Sequence, residues 1–354
     1  MNGENDVPQD AAPAEPFRGR LTKHLISGFA LALAIALSTY LLLSFSKVGG
    51  AWLASLWFLA LLPALLCALI CYIGDPDQDR PSSFYWSAPL VLVGLVDVGS
   101  VFFLREGVIC MIMLSPIWLA SGWGGAFILR SQRRGRFGRN TLQSSFLIVP
   151  LVAGVVEAQI PVPHDHVLLT RSILVHASPS EIWPYAVANR AISPREGRWT
   201  ITHNIIGLPR PRATVMKGAG VGAVRTAYWG DHINFEERIS EWAPGQKLGW
   251  RFRFSNTSLQ DYTDRHISPD GQFLKIDSGD YTIRRISPDT TLLTLNTRYI
   301  AMTHVNLYAE LWGEFLLGDT QDNILSIIKG RAEAAHVRDA GARLTEVNQR
   351  GAAT

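Results

Sequence analysis

The C-terminal half of this chain carries a small set of groups able to do carbonyl chemistry: His203, Arg225, Asp277, Tyr281, Arg298 and Tyr299. All lie on or beside stretches that read as β-strands. A buried arginine polarises a carbonyl, and a tyrosine or histidine within reach moves a proton. Strand parity puts Tyr281 with Ile283 and Tyr299 with Leu295, so both tyrosines are expected to face inward. Arg225 and Arg298 have a simpler second reading, as outer-face residues or as partners of Glu236 or Glu237. Tyr228, Trp250, Phe252 and Trp312 are rings suited to the wall of an apolar cavity, as ligand contacts or as plain core.

Spacing argues against other chemistry. Gly218, Gly220 and Gly222 precede a strand rather than a helix, so they lack the helix N-terminus that holds phosphate in nucleotide-binding loops. Six of the nine histidines (His164, His166, His203, His232, His266, His304) lie in the C-terminal half as candidates and show no HExxH spacing. His164 and His166 around Asp165 read as a solvated hinge rather than a metal site. The three cysteines, Cys67, Cys71 and Cys110, fall in apolar runs and leave the C-terminal half without a disulfide framework or a Cys-based zinc site. A net charge of +3 is too slight to argue for nucleic acid. No cofactor and no metal are expected.

The elements that must position these groups begin near Val167. Leu168–His176 reads as a strand, and Ser178-Pro179-Ser180-Glu181 is a capping box with proline at the first helical position. Short runs at about 212–217, 222–230, 233–242, 247–255, 272–286 and 290–301 read as strands. In one of them Leu248, Trp250, Phe252 and Phe254 alternate with Lys247, Arg251 and Arg253. Val305–Glu333 reads as one long helix whose Leu307, Leu311, Phe315, Ile324 and Ile328 share an apolar stripe, with a phase slip at Gly318. Residues 336–354 read as a flexible tail.

The N-terminal half is of another kind. A disordered tail is expected over 1–20, then a transmembrane module over 21–160. Apolar runs at about 25–46, 51–73, 84–104 and 107–129 each approach the roughly 20 residues that cross a bilayer core. A fifth, 141–160, contains Pro150 and ends near Glu157. Arg130, Arg133, Arg134, Arg136 and Arg139 place their loop, and the N-terminus, in the cytoplasm. Five spans put the C-terminal domain outside, in the periplasm of a bacterial inner membrane; four keep it in the cytoplasm. Asp97 is the one carboxylate well inside a span, either a functional group or a residue bonded to a neighbouring side chain.

Strand, helix, a series of antiparallel strands and a long terminal helix make an α+β order with a concave apolar space. Ser172–Trp183 (SILVHASPSEIW), Gly220–Arg225 (GVGAVR) and the terminal IIKGRAE resemble the START-like helix-grip superfamily, the SRPBCC group of polyketide cyclases and lipid-transfer domains. The resemblance covers about 165–335, within a domain bounded at 161–335. It implies a curved antiparallel sheet around a long helix and a hydrophobic or lipid-like small molecule in the cavity. It also implies an alternative, an enzyme of the cyclase or dehydratase type. The reading expects a membrane-anchored binding domain with the bilayer and a hydrophobic molecule as partners. Its cavity wall comprises Tyr228, Trp250, Phe252, Tyr281, Tyr299, Trp312, Arg225 and His203.

Overall fold

The computed structural model describes residues 17–45, 55–104, 107–134, 152–157, 159–263 and 268–351. The chain divides into two compact units. Among the described residues, four helical stretches are long and apolar enough to cross a membrane: Thr22–Leu41, Trp57–Gly74, Ser82–Phe103 and Val108–Arg133. They belong to α1 (Phe17–Phe45), a π-helical segment Trp57–Leu61 running into α2 (Leu62–Gly74), α3 (Ser82–Gly99) with a second π-helical segment Ser100–Leu104, and α4 (Val108–Arg134). α1 starts inside the stretch expected to be a disordered tail. The apolar helix that follows nucleates it, and extending a formed helix by a few residues is easy. Most of the expected fifth span lies outside the described residues, which resume with a helical turn at 152–157.

Two polar contacts fix the ends of α2. Arg133 donates to the carbonyls of Asp75 and Pro76, both at 2.7 Å, just past the C-terminus of α2. Glu157 accepts from the amides of Leu56 (2.6 Å) and Trp57 (2.9 Å), where the free N–H groups of a helix start favour an anion. Arg133 and Glu157 therefore lie at opposite ends of this helix. Trp57–Gly74 is 18 residues long, about 27 Å at helical rise. Asp97 accepts from the Ser115 hydroxyl at 2.8 Å. Close packing needs small residues here: a Cβ on Gly125 would lie 1.9 Å from the Ala64 carbonyl oxygen, so α4 and α2 meet backbone to backbone.

The second unit holds β1 (Asp165–Val175), α5 (Pro179–Val187), α6 (Ile201–Asn204), β2 (Pro211–Lys217), β3 (Val224–Trp229), β4 (Ile233–Ala243), β5 (Lys247–Arg253), α7 (Ser258–Tyr262), β6 (Leu274–Ser287), β7 (Thr290–Ala301) and α8 (Asn306–Gly351). The seven strands form one antiparallel sheet in the order β1-β7-β6-β5-β4-β3-β2. Pairing the first strand with the last leaves β1 and β2 at opposite edges, with α5 and α6 carrying the chain between them. α8 packs on β1, β7, α5 and α6. The core between helix and sheet is built from Val175, Ile182, Ile239, Leu248, Leu293 and Ile328, among others.

The capping box forms: Glu181 accepts from the Ser178 amide at 2.7 Å and meets His336 at 3.0 Å. Burial opposes ionisation, but the Ser178 hydroxyl and amide and His336 hold the Glu181 carboxyl down at about 2. The helix expected to stop near Glu333 continues to Gly351, so most of the expected tail is helical. Its sequence carries no proline, and His336 on Glu181 gives the extension a tertiary contact. Arg331 grips Glu196 through Nε (2.5 Å) and Nη2 (2.9 Å) and donates to the carbonyls of Arg190 and Ala191, tying the 190–196 loop to α8.

The expected stripe along α8 splits in two. Ile328 is fully buried, whereas Leu307, Leu311 and Phe315 are 77%, 62% and 37% exposed. Leu317 and Gly313, not these three, pack towards β1 and β7. The missed signal was Gly313, which permits the close approach of Tyr299.

Candidate functional site

The inner face of the sheet is set by parity. On β3 it carries Arg225, Ala227 and Trp229; on β4, Ile233, Phe235, Glu237 and Ile239; on β5, Leu248, Trp250 and Phe252. Their rings form a continuous lining. Trp229 lies 5.8 Å from Phe235, Phe235 lies 6.0 Å from Phe252, Phe252 lies 6.1 Å from Trp250, and Trp250 lies 5.1 Å from Tyr281.

Arg225 sits inside this lining with only 2% of its surface exposed. Its Nε donates to Glu237, Nη1 donates to the Ala186 carbonyl at 2.6 Å, and the guanidinium lies 4.3 Å over the Trp250 ring. Burial pushes the Glu237 carboxyl above its ordinary range, although Arg225 pulls it down. Burial also raises the Tyr281 hydroxyl to about 12, the positive Arg225 opposing, so Tyr281 stays protonated at neutral pH. The two arginine readings left open by the sequence resolve separately. Arg225 is internal and paired with Glu237, whereas Arg298 is half-exposed and bound to Asp280 at 2.7 Å.

Gly279 makes room for Trp250. The two residues are direct cross-strand partners, and a Cβ on Gly279 would lie 2.7 Å from the indole carbons and 2.9 Å from Nε1. Gly279 in turn pairs with Thr297 on β7. The Thr297 hydroxyl accepts from Gln321 Nε2 of α8 at 2.7 Å. Trp250 Nε1 and Gln321 Oε1 are both buried and have no hydrogen-bond partner among the described residues. One is a donor and the other an acceptor, and both adjoin the Gly279–Thr297 step of the sheet.

His203 adds a second acceptor. Its Nδ1 is 2.8 Å from the Leu208 carbonyl, which can only accept, so the neutral ring carries its proton there. Nε2 is then a bare lone pair, also buried without a partner among the described residues. The ring stands 6.3 Å from Trp229. Burial lowers the His203 pKa below its ordinary value, aided by Arg210 and opposed by Leu208 and Asp319. The neutral form is thus favoured in the folded protein, and its contribution is lost as pH falls from the unfolded value near 6.5 through the lower folded one. A ligand that donates to Nε2 is expected to bind the neutral ring and to be released as the ring protonates, at a pH below the ordinary 6.5. Ligand binding and imidazole protonation followed together on the purified full chain check this, and binding unchanged across the protonation step would remove His203 from the site.

The remaining expected wall residues separate. Tyr299 is buried, but in a distinct cluster with Leu169 and Ala301, its hydroxyl against Gly313. Tyr228 is 43% exposed and borders a surface depression with Ile192, Arg212 and Asp231, outside the aromatic lining. It is three residues from Arg225 on one strand, and residues an odd number apart point to opposite faces. Trp312 lies between Tyr308 and Phe315 on α8, ring to ring at 6.4 and 5.9 Å, away from the sheet lining. Trp229, Phe235, Gly279 and Gln321 were missed. Parity from Arg225 finds Trp229 and, through β3–β4 pairing, Phe235; no local signal finds Gln321.

A seven-stranded antiparallel sheet against a long C-terminal helix fits the helix-grip fold. No family model and no curated protein matches the sequence. Among solved structures the chain is similar to the Zhui aromatase/cyclase from Streptomyces sp. R1128, at 13% identity and TM-score 0.31 over 48% of this chain and 94% of that one. It is also similar to norcoclaurine synthase from Thalictrum flavum, at 10% identity and TM-score 0.29 over 47% and 96%. A third is the di-domain aromatase/cyclase BexL of the BE-7585A pathway, at 13% identity and TM-score 0.32 over 61% and 63%.

Proposed function

We propose that the C-terminal domain binds a hydrophobic small molecule bearing a hydroxyl group, between the inner sheet face and α8, and that the apolar helices anchor it at a bilayer. One observation carries this reading. A buried donor, Trp250 Nε1, and two buried acceptors, Gln321 Oε1 and His203 Nε2, have no partner among the described residues and adjoin a continuous aromatic lining. Unpaired buried polar atoms are rare and cost about 1–3 kcal/mol each. A hydroxyl both donates and accepts, so it answers the Trp250 donor and the Gln321 acceptor, which adjoin the same Gly279–Thr297 step. The rings supply the apolar contact that holds the rest of the molecule.

The test is organic extraction and mass spectrometry of the full chain purified in mild detergent. A stoichiometric, alcohol-containing hydrophobic compound is expected, reduced at least tenfold in Trp250→Phe/Gln321→Leu. Recovery of detergent and bulk phospholipid alone from both proteins sinks the reading. A cyclase or dehydratase is the second reading, favoured by a protonated Tyr281 beside Arg225. Arg225 is already engaged by Glu237 and the Ala186 carbonyl, which supports binding over catalysis.

The two ends of α2 support a side of the membrane for this domain. Arg133 and Glu157 lie at opposite ends of a helix long enough to cross, so the chain leaves on the face opposite the arginine-rich loop. The positive-inside rule then makes the domain extracytoplasmic. Alkaline phosphatase fused to the C-terminus is expected to be active in a bacterial host. A silent fusion with a fluorescent cytoplasmic counterpart overturns this side.

A further inference from the structure

The first turns of α8 carry an apolar face that the ligand site does not use. Leu307 and Leu311 are 77% and 62% exposed, and Phe315 is 37% exposed. They lie at i, i+4 and i+8, on one side of a helix. Tyr308 and Trp312 flank them, their rings and that of Phe315 forming an edge-to-face ladder. The acidic residues of this stretch lie to one flank of that face, and Glu314 is bound to Arg171 at 2.6 Å. Leucines beside tyrosine and tryptophan are the composition of segments that settle at a lipid–water boundary.

Covalent connectivity says which apolar phase is near. Asn306, the first residue of α8, donates through Nδ2 to the Pro163 carbonyl (3.2 Å) and to Asp165 (2.9 Å), so the start of the helix is tied to the start of β1. Pro163 is only six positions along the chain from Glu157, the cap on the helix start at Trp57. Fully extended, that stretch reaches about 20 Å. The apolar face therefore begins within a short tether of the end of a membrane-length helix. Ile160 and Val162 on that tether are also exposed, at 53% and 40%.

We infer that this face of α8, Leu307, Tyr308, Leu311, Trp312 and Phe315, is seated in the headgroup–acyl boundary of the bilayer. The inference rests on the membrane anchoring proposed above but not on the ligand. A hydrophobic molecule could then pass between the leaflet and the domain without crossing bulk water.

The experiment uses the full chain in phosphatidylcholine/phosphatidylglycerol nanodiscs. A benzophenone amino acid replaces Leu311 in one protein and Val337 in another; Val337 is also exposed, at 69%, but lies far along the same helix. After irradiation, phospholipid adducts are expected at position 311, at least fivefold above position 337. Equal adduct yields at the two positions overturn the proposal. So does a crosslink at 311 to a second copy of the chain, which would make the face a self-association surface. Failure to enter the disc overturns it together with the anchoring. Ligand content measured on the same samples separates the two ideas: ligand retained without lipid adducts leaves the binding reading standing and the seat on the bilayer refuted.

Discussion

Replacing Glu237 with alanine is expected to destabilise the C-terminal domain by about 3–5 kcal/mol, a large share of the stability of an ordinary domain. Arg225 is 2% exposed, so without Glu237 its charge has no solvent to turn to. The Ala186 carbonyl and the Trp250 ring remain, but neither carries a formal negative charge. Removing both charges should be far milder, because a well-packed apolar pair commonly replaces a buried ion pair at little cost. The ordering predicted is therefore wild type, then Arg225→Met/Glu237→Leu close behind, and Glu237→Ala well below. Denaturant unfolding of the full chain in detergent measures it, with hydrogen exchange of the β3 and β4 peptides assigning the loss to this domain. A Glu237→Ala cost under about 1 kcal/mol is the behaviour of an exposed pair and contradicts the buried placement.

Gly279→Val is expected to abolish ligand retention and cost about 1–3 kcal/mol by overpacking. The first added carbon would already sit 2.7 Å from the Trp250 ring. The indole has little room to yield, with Arg225 4.3 Å over it, Tyr281 at 5.1 Å and Phe252 at 6.1 Å. Either the β5–β6 pairing opens or the indole turns, and both displace Nε1 from the Gly279–Thr297 step. Near-UV circular dichroism reports the indole and mass spectrometry reports the ligand. Retention of both signals in the variant would remove Trp250 from the binding wall.

The fold was largely legible because its elements are punctuated locally. The capping box at Ser178–Glu181, the alternation through Leu248–Phe254 and the apolar runs of the first half each carry their own signal. For the candidate wall residues parity gives burial but not which cluster: Tyr281 and Tyr299 are both buried, yet Tyr299 packs apart with Leu169 and Ala301. Arg225, left open between the two faces by the sequence, lies beside Trp250 and Tyr281, whereas Tyr228, three positions along the same strand, is exposed on the opposite face. Trp312 and the Leu307–Phe315 stripe were assigned to the interior because helical periodicity identifies an apolar face without identifying what it faces. Gln321 was missed because its partner, Thr297, is brought to it only by packing α8 on the sheet. The continuation of α8 to Gly351 had the same origin, a tertiary contact between His336 and Glu181.

The central claim is that this domain holds a hydroxyl-bearing hydrophobic molecule between the β3–β6 face and α8. The most direct measurement is an experimental density map of the full chain in lipid nanodiscs. Non-protein density bounded by Trp229, Phe252 and Trp250, with one end within hydrogen-bonding distance of Trp250 Nε1 and Gln321 Oε1, is the predicted result. Side chains closed on one another, with those two atoms bonded to protein groups and no other density between sheet and helix, would contradict it.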